Sequence, residues 1–480
     1  MQGQESRGRG PGAGGRETPA GAGDGLASPR EALRAQSNRE DPPHADPGSL
    51  APGPWPPAPL LVLFLVNVLN FYDRQALGAV TEPLRREFHL SDTQLGALTT
   101  IFTVLYAVAG VPLGRLADTW SRKRLLAIGT AVWAGLTGLG GLAASYGMLA
   151  ATRLGVGIGE AVCAPAATSW IGDVVPPERR ARAMAWFMMA VPVGGMLSFA
   201  VTGPVAQAHG WRIALALAAL PAVALVPALL CLREVPRHTT PDPWPLAPGP
   251  WPPAFWWIVA SGAVVNFVLY SFSTFLPAFL TRFHGLSVAR AGFWTGIGSG
   301  VAGILGALAA GALGDRVSGH RGRGRMLLAG GAALLAAPLA FWAIRLPAGR
   351  AALAIPLIMA AYGLLQSYYG LVYAAMQDIV APGLRGAAMG TYFMAMYLCG
   401  ASFGPLATGG LSDHFAREAA GLGPITETAR ALGLRQAMYL IPALSLALAA
   451  VLWAGAKAME RKAGPWGTAP RRVDAASQPE

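Results

Sequence analysis

Four ionisable residues fall inside long apolar stretches, where a charge needs a reason to be present. VNVLNFYDR (Val66–Arg74) carries Asp73 and Arg74, and RLGVGIGEA (Arg153–Ala161) carries Arg153 with Glu160 seven residues on. A charge at the centre of a bilayer costs about 2.5–3.5 kcal/mol on insertion scales. Positions i, i+3 and i+7 stack on one helical face, so Asp73 and Arg74 belong to the stripe begun by Asn67 and Asn70. The same arithmetic puts Arg153 and Glu160 two turns apart on one face. The four formal charges cancel. One reading is a fixed salt-bridge cluster that locks two helices together. The other makes a carboxylate a proton carrier, its affinity set by whether an arginine or water faces it. Protonating Asp73 or Glu160 would leave the cluster at net +1, ready for an anionic group.

The elements that position these residues follow from composition. Charged residues are 13% of the 480 and apolar residues 53%, whereas soluble domains carry about 25% charged. About twelve apolar segments are long enough to span, at roughly 60–82, 92–116, 125–145, 147–172, 182–207, 212–232, 254–281, 289–314, 326–345, 351–379, 386–411 and 435–457. The expected fold is therefore an all-α integral membrane protein. Net charge is +12, but the charges lie between spans and not on one soluble face, so nucleic acid is not the implied partner. Arg122, Lys123 and Arg124, then Arg179, Arg180 and Arg182, then Arg316, Arg321, Arg323 and Arg325, then Arg385 all share one side if spans alternate. The positive-inside rule makes that side cytoplasmic, with both termini, in a multi-pass cell-membrane protein.

The chain is also doubled. LAPGPWPPA occurs at Leu50–Ala58 and again at Leu246–Ala254, each time leading into an apolar run. Proline is excluded from helix interiors but suits a helix start, so the phrase reads as the doorstep of two equivalent helices. Asn70 then meets Asn266; GRLADTWSRKR (Gly114–Arg124) meets GALGDRVSGHRGR (Gly311–Arg323), aligning Asp118 with Asp315. Asp173 meets Asp378, Arg180 meets Arg385, and Gly203-Pro204 meets Gly404-Pro405. Landmarks in the same order mean two copies of a six-span unit. The expected organisation is a disordered tail over 1–57, a bundle over 58–233, a Pro-rich linker over 234–253, a second bundle over 254–461 and a tail over 462–480.

Two parallel six-span repeats with substrate held between them are the architecture of major facilitator transporters. GRLADTWSRKR resembles that superfamily's loop between spans two and three, RLGVGIGEA its fourth-span motif, and GWR (Gly210–Arg212) the opening of its sixth span. NFYDR, GIGEA and AVPVGG together most resemble the spinster-like branch, which includes sphingolipid and lysophospholipid transporters. The resemblance implies alternating access. It also implies that Asp73, Arg74 and Glu160 serve coupling and substrate contact. By the same resemblance Gly114, Asp118, Arg122 and Arg124 latch the cytoplasmic side in the outward-open state. The second copy around Asp315 departs from the pattern, which puts its latch role in doubt.

The second half offers polar and aromatic residues in place of charges. Tyr362, Gln366, Tyr369, Tyr373 and Gln377 form a stripe at helical spacing in the tenth span, and Asn266, Tyr270, Ser273 and Thr274 lie in the seventh. They suit either interhelical hydrogen bonding or cavity lining. GVGIG lies inside an apolar helix with no preceding strand, so close packing explains it better than phosphate binding. Cys163, Cys231 and Cys399 all sit within spans, and the seven histidines show no metal-ligand spacing. No metal or cofactor is expected. The reading is a monomeric, proton-linked secondary transporter for an amphipathic or organic-anion substrate such as a lysolipid. The alternative is an ion-independent lipid facilitator or multidrug exporter of the same fold. A membrane enzyme or receptor is disfavoured by the lack of a catalytic cluster and of any large soluble module.

Overall fold

The computed structural model describes residues 57–233, 251–316, 322–380 and 384–460. The expected tails and most of the expected linker lie outside the described residues, as do the side chains of Asp118 and Asp315. The first helix, α1 (Pro57–Ala79), and its counterpart α11 (Pro253–Arg282) both begin at the eighth residue of the repeated phrase. Proline at the first helical position loses no hydrogen bond, because that N–H has no intrahelical acceptor.

From α1 the chain runs through α2 (Thr81–Phe88), α3 (Asp92–Thr119), α4 (Arg122–Gly140), α5 (Tyr146–Glu160) and α6 (Cys163–Val174). Then follow α7 (Pro177–Met188), α8 (Ala190–His209), α9 (Trp211–Ala219) and α10 (Pro221–Cys231). After α11 come α12 (Val288–Ile297), a π-helical turn at Gly298–Ala302, α13 (Gly303–Arg316), α14 (Arg323–Arg345) and α15 (Ala351–Ile379). The last elements are α16 (Arg385–Ala395), a second π-helical segment at Met396–Ala401, α17 (Phe403–Ala420), α18 (Glu427–Met438) and α19 (Leu440–Glu460). Among the described residues, ten stretches are long and apolar enough to cross a membrane. The other two of the twelve expected are α4, whose first turn is Arg122-Lys123-Arg124, and the composite run from α16 to α17, which carries Asp413, Arg417 and Glu418. Both are helical and pack among their neighbours.

Many large apolar side chains point outward, among them Leu142, Val223, Leu308, Leu335 and Trp342, each more than half exposed. In water such a surface would aggregate; facing lipid tails it needs no cover. With lipid as solvent, association rests on close packing. Gly157 shows it: a Cβ there would come within 2.5 Å of the Phe102 carbonyl oxygen, so the GVGIG run is a contact surface for α3. Helix starts near one end of the bundle are capped by Ser91, Ser145, Ser287 and Thr426, whose hydroxyls accept backbone N–H bonds.

Two pairs of arginine and aspartate reproduce the internal repeat at the opposite end. Arg122 pairs with Asp173, and Arg325 pairs with Asp378 at 2.7 Å. Arg180 and Arg385 donate to the carbonyls of Gly172 and Gln377, again at matching places. The stretched second loop thus retains an ion pair of the same kind, although its arginine falls later in the segment. Each of these contacts stays within one half.

Candidate functional site

Span four is interrupted directly after Glu160. Helix α5 ends there, Ala161 and Val162 form a turn, and α6 restarts at Cys163. The glutamate is fully buried and faces α1, where Arg74 meets it: Nε and Nη2 both donate to Oε2, at 3.3 and 3.2 Å. Arg74 also reaches Asn70 Oδ1 at 3.5 Å. Its guanidinium lies 4.2 Å from the ring centre of Tyr106, 4.8 Å from Phe71 and 5.4 Å from Phe102. A cation held against aromatic faces away from water keeps its charge at lower cost.

Asp73 diverges from its neighbour. One residue is a turn of about 100° on a helix, so Arg74 faces the seam between the halves while Asp73 points into the first bundle. Asp73 is fully buried, and neither carboxylate oxygen has a hydrogen-bond partner among the described residues. Its charged neighbours are Arg153 and Glu160, and the indole N–H of Trp133, likewise unpaired, lies beside it. Arg153 is buried too, with Nη2 donating to Thr137 Oγ1 at 3.4 Å. Of the carboxylate–arginine pairings open to these four residues, Arg74 with Glu160 is the one that closes among the described residues. Asn67 is drawn away to the Phe187 carbonyl and joins no charge.

The second half contributes Tyr270, Ser273 and Thr274, which line a small cavity together with Arg74, Arg153 and Thr99 of the first. Tyr270 meets Tyr397 edge-on, and Tyr397 meets Tyr106 in the same way, at centroid distances of 6.4 and 5.2 Å. Asn266 accepts from Tyr369 at 3.0 Å, and Gln366 donates to Tyr362 at 3.0 Å. Tyr373 packs on Tyr369 and Tyr392. Asn266, Gln366, Tyr369 and Tyr373 are thus held in hydrogen bonds and ring contacts within the second half, and of the expected second-half site residues Tyr270 is the one that lines the cavity with Arg74 and Arg153.

Sequence reasoning overlooked Tyr106, Tyr397 and Trp133. Aromatic residues are common in apolar helices, and nothing in their local pattern marks these. Thr99, Phe102 and Tyr106 do share one face of α3 at i, i+3 and i+7, which is the signal that was available. Among the described residues no group of three or more His, Cys, Asp or Glu is placed to hold a metal ion.

A family model described as Major Facilitator Superfamily matches residues 63–405. An MFS-type efflux pump of Mycolicibacterium smegmatis is 32% identical over 402 residues, covering 82% of this chain and 90% of that protein. Protein spinster homolog 1 of Bos taurus is 27% identical over 389 residues, 74% of this chain and 73% of that protein. Among solved structures, a bacterial homolog of the human lysosomal transporter spinster, inward-facing and unoccupied, superposes with a TM-score of 0.74. That match is 27% identical and covers 85% of this chain and 98% of the other.

Proposed function

This chain belongs to the Major Facilitator Superfamily and resembles its spinster branch, and from that premise we propose a proton-linked carrier of an amphipathic or organic anion, such as a lysolipid. The observation that carries the reading is the buried Arg74–Glu160 pair, whose arginine lines a cavity shared by both halves. An incoming anionic group competes with Glu160 for the guanidinium. Once displaced, a buried carboxylate without a cation is costly and takes a proton. Proton and anion then favour each other's binding, which is a coupling free energy between two sites. Asp73 beside Arg153 is the second proton-accepting group, and Arg153 the second anion contact.

Rocking of the bundles over 58–233 and 254–461 leaves the Arg74–Glu160 pair within one half but changes what faces it. Tyr270 and Tyr397 belong to the other half and withdraw when the cavity opens on their side. Unequal surroundings in the two states are what a coupled ligand requires. The arginine-rich end is cytoplasmic on this reading, with the terminal tails and the 234–253 linker. The efflux-pump relative, matched over 90% of its length, favours a second reading in which the same cavity exports drug-like amphiphiles. Reconstituted flux of lysolipids, organic carboxylates and cationic drugs, with and without a proton gradient, separates the two. Gradient-driven movement of an anion that Glu160→Gln abolishes supports the first. Movement of cationic drugs alone rejects it.

A further inference from the structure

Away from the cavity, one end of the bundle holds a second network of buried charge. Arg282, the last residue of α11, donates Nε to Glu82 at 2.6 Å and Nη1 to both oxygens of Asp92 at 2.8 and 2.9 Å. All three side chains are less than 5% exposed. Glu82 lies on α2 and Asp92 opens α3, so one cation of the second half grips two acids of the first. A reciprocal tie runs from Arg85, which bonds Glu82 at 2.7 Å, to Glu427 of α18 at 2.6 Å.

A third tie uses the backbone. Asp413 of α17 accepts the N–H groups of Asp92 and Thr93, at 2.9 and 2.8 Å, and the Thr93 hydroxyl at 2.6 Å. A carboxylate at a helix start is favoured because the first N–H groups have no intrahelical acceptor. Here that carboxylate comes from the opposite half. The seam is tight enough to need glycine: a Cβ on Gly409 would sit 2.2 Å from the Asp92 carbonyl oxygen, and one on Gly96 would sit 2.3 Å from that of Pro405. Of the ion pairs described, Arg282–Glu82, Arg282–Asp92 and Arg85–Glu427 join the halves, and all three are at this end. The arginine–aspartate pairs of the other end each stay within one half.

We infer that Arg282 and Asp413 are the positioning residues of a latch that closes this end of the cavity and must break in each transport cycle. The inference rests on the alternating-access reading above. Bound this way, the latch selects the state in which the cavity is shut toward Glu427. Glu82 remains ionised within it. Burial pushes its carboxyl up, but the guanidiniums of Arg85 and Arg282 outweigh that and hold it at about 2.

The test uses the full chain in vesicles of both orientations, with Cys163, Cys231 and Cys399 replaced and a single Ser273→Cys in the cavity wall. An impermeant maleimide should label the unlatched variants Arg282→Gln and Asp413→Asn from the Glu427 side about tenfold faster or more, since breaking a buried pair destabilises the state containing it. Arg282→Lys should fall between, and Arg290→Gln, an exposed residue near the start of α12, should match the parent. Because Arg282→Gln removes a buried charge and Asp413→Asn a half-buried one, a second measurement covers failure to fold. A Thr93→Cys, Gly410→Cys pair, whose positions face each other across the seam, should stop flux when oxidised and restore it on reduction. Unchanged labelling in folded Arg282→Gln and Asp413→Asn, or undiminished flux through the crosslinked pair, overturns the latch. If Ser273→Cys in the parent is never labelled from the Glu427 side, with any substrate or gradient, alternating access itself fails.

Discussion

Arg74 and Glu160 meet at 3.2 Å between the first and fourth spans, both almost wholly excluded from solvent. The remaining donors and acceptors around them are unevenly satisfied. Arg74 Nη1, Glu160 Oε1, Asn70 Nδ2, Arg153 Nε and both oxygens of Asp73 have no hydrogen-bond partner among the described residues. Buried polar atoms are normally paired, and this concentration in one place is what the proposed proton and anion sites rest on.

Glu160→Gln mimics the protonated glutamate and frees Arg74. We expect it to abolish gradient-driven accumulation in proteoliposomes while equilibrium binding of an anionic substrate stays within a few fold. Asp73→Asn should do likewise if Asp73 shares the proton. Full proton-driven accumulation in both variants would make the charge cluster structural and place coupling elsewhere.

Arg153→Ala should weaken binding of an anionic substrate and lower thermal stability, because it leaves Asp73 without its nearest cation. A buried carboxylate that loses the cation near it is left uncompensated, which destabilises the fold. Recovery of stability in Arg153→Ala with Asp73→Asn would trace the loss to the stranded carboxylate; no recovery would reject that cause.

Gly157→Ala puts a methyl group against a backbone carbonyl that cannot rotate away. Overpacking of this kind costs about 1–3 kcal/mol, read as a lower midpoint of thermal unfolding in detergent. An unchanged midpoint would show that GVGIG is not a packing surface.

Ser121, at the start of α4, should be labelled as a single cysteine only from the cytoplasm. Asp118→Asn should slow conformational cycling and leave substrate affinity within a few fold. Labelling of Ser121→Cys from outside intact cells would invert the topology, and a large loss of affinity with unchanged cycling would reject the gate role of Asp118.

The latch should be insensitive to pH over the working range. The Glu82 carboxyl is lowered from 4.5 to about 2, so the folded state binds fewer protons there than the unfolded one. Its stabilisation is fully present above the unfolded value and is lost as pH falls through about 2. Charged neighbours Arg85, Arg86 and Arg282 hold it in that state. The ratio of Ser273→Cys labelling rates from the Glu427 side between Arg282→Gln and the parent, in which the thiolate fraction cancels, should therefore be flat from about pH 5 to about pH 8 in the absence of substrate. A midpoint inside that interval would mean that a titrating group controls the latch and would reject its pH insensitivity.

By itself the sequence determined the membrane environment, the doubling and the identities of the buried charges. Composition sets the solvent, a period of 196 residues aligns Asn70 with Asn266, and an ionisable residue in an apolar run is visible without coordinates. Partners were not visible. Neighbouring residues on a helix point about 100° apart, so Asp73 and Arg74, adjacent in the chain, serve different neighbours. Tyr106 and Tyr397 approach Arg74 only because α3 and the π-helical segment at Met396–Ala401 cross beside α1. The Arg282 network is the clearest case of what tertiary structure decided. Glu82, Asp92, Arg282, Asp413 and Glu427 are spread over five helices and lie near span ends, where charged residues are ordinary. Only the docking of the two halves takes Glu82, Asp92 and Arg282 out of water and joins half-buried Asp413 and exposed Glu427 to them, turning five unremarkable residues into one network.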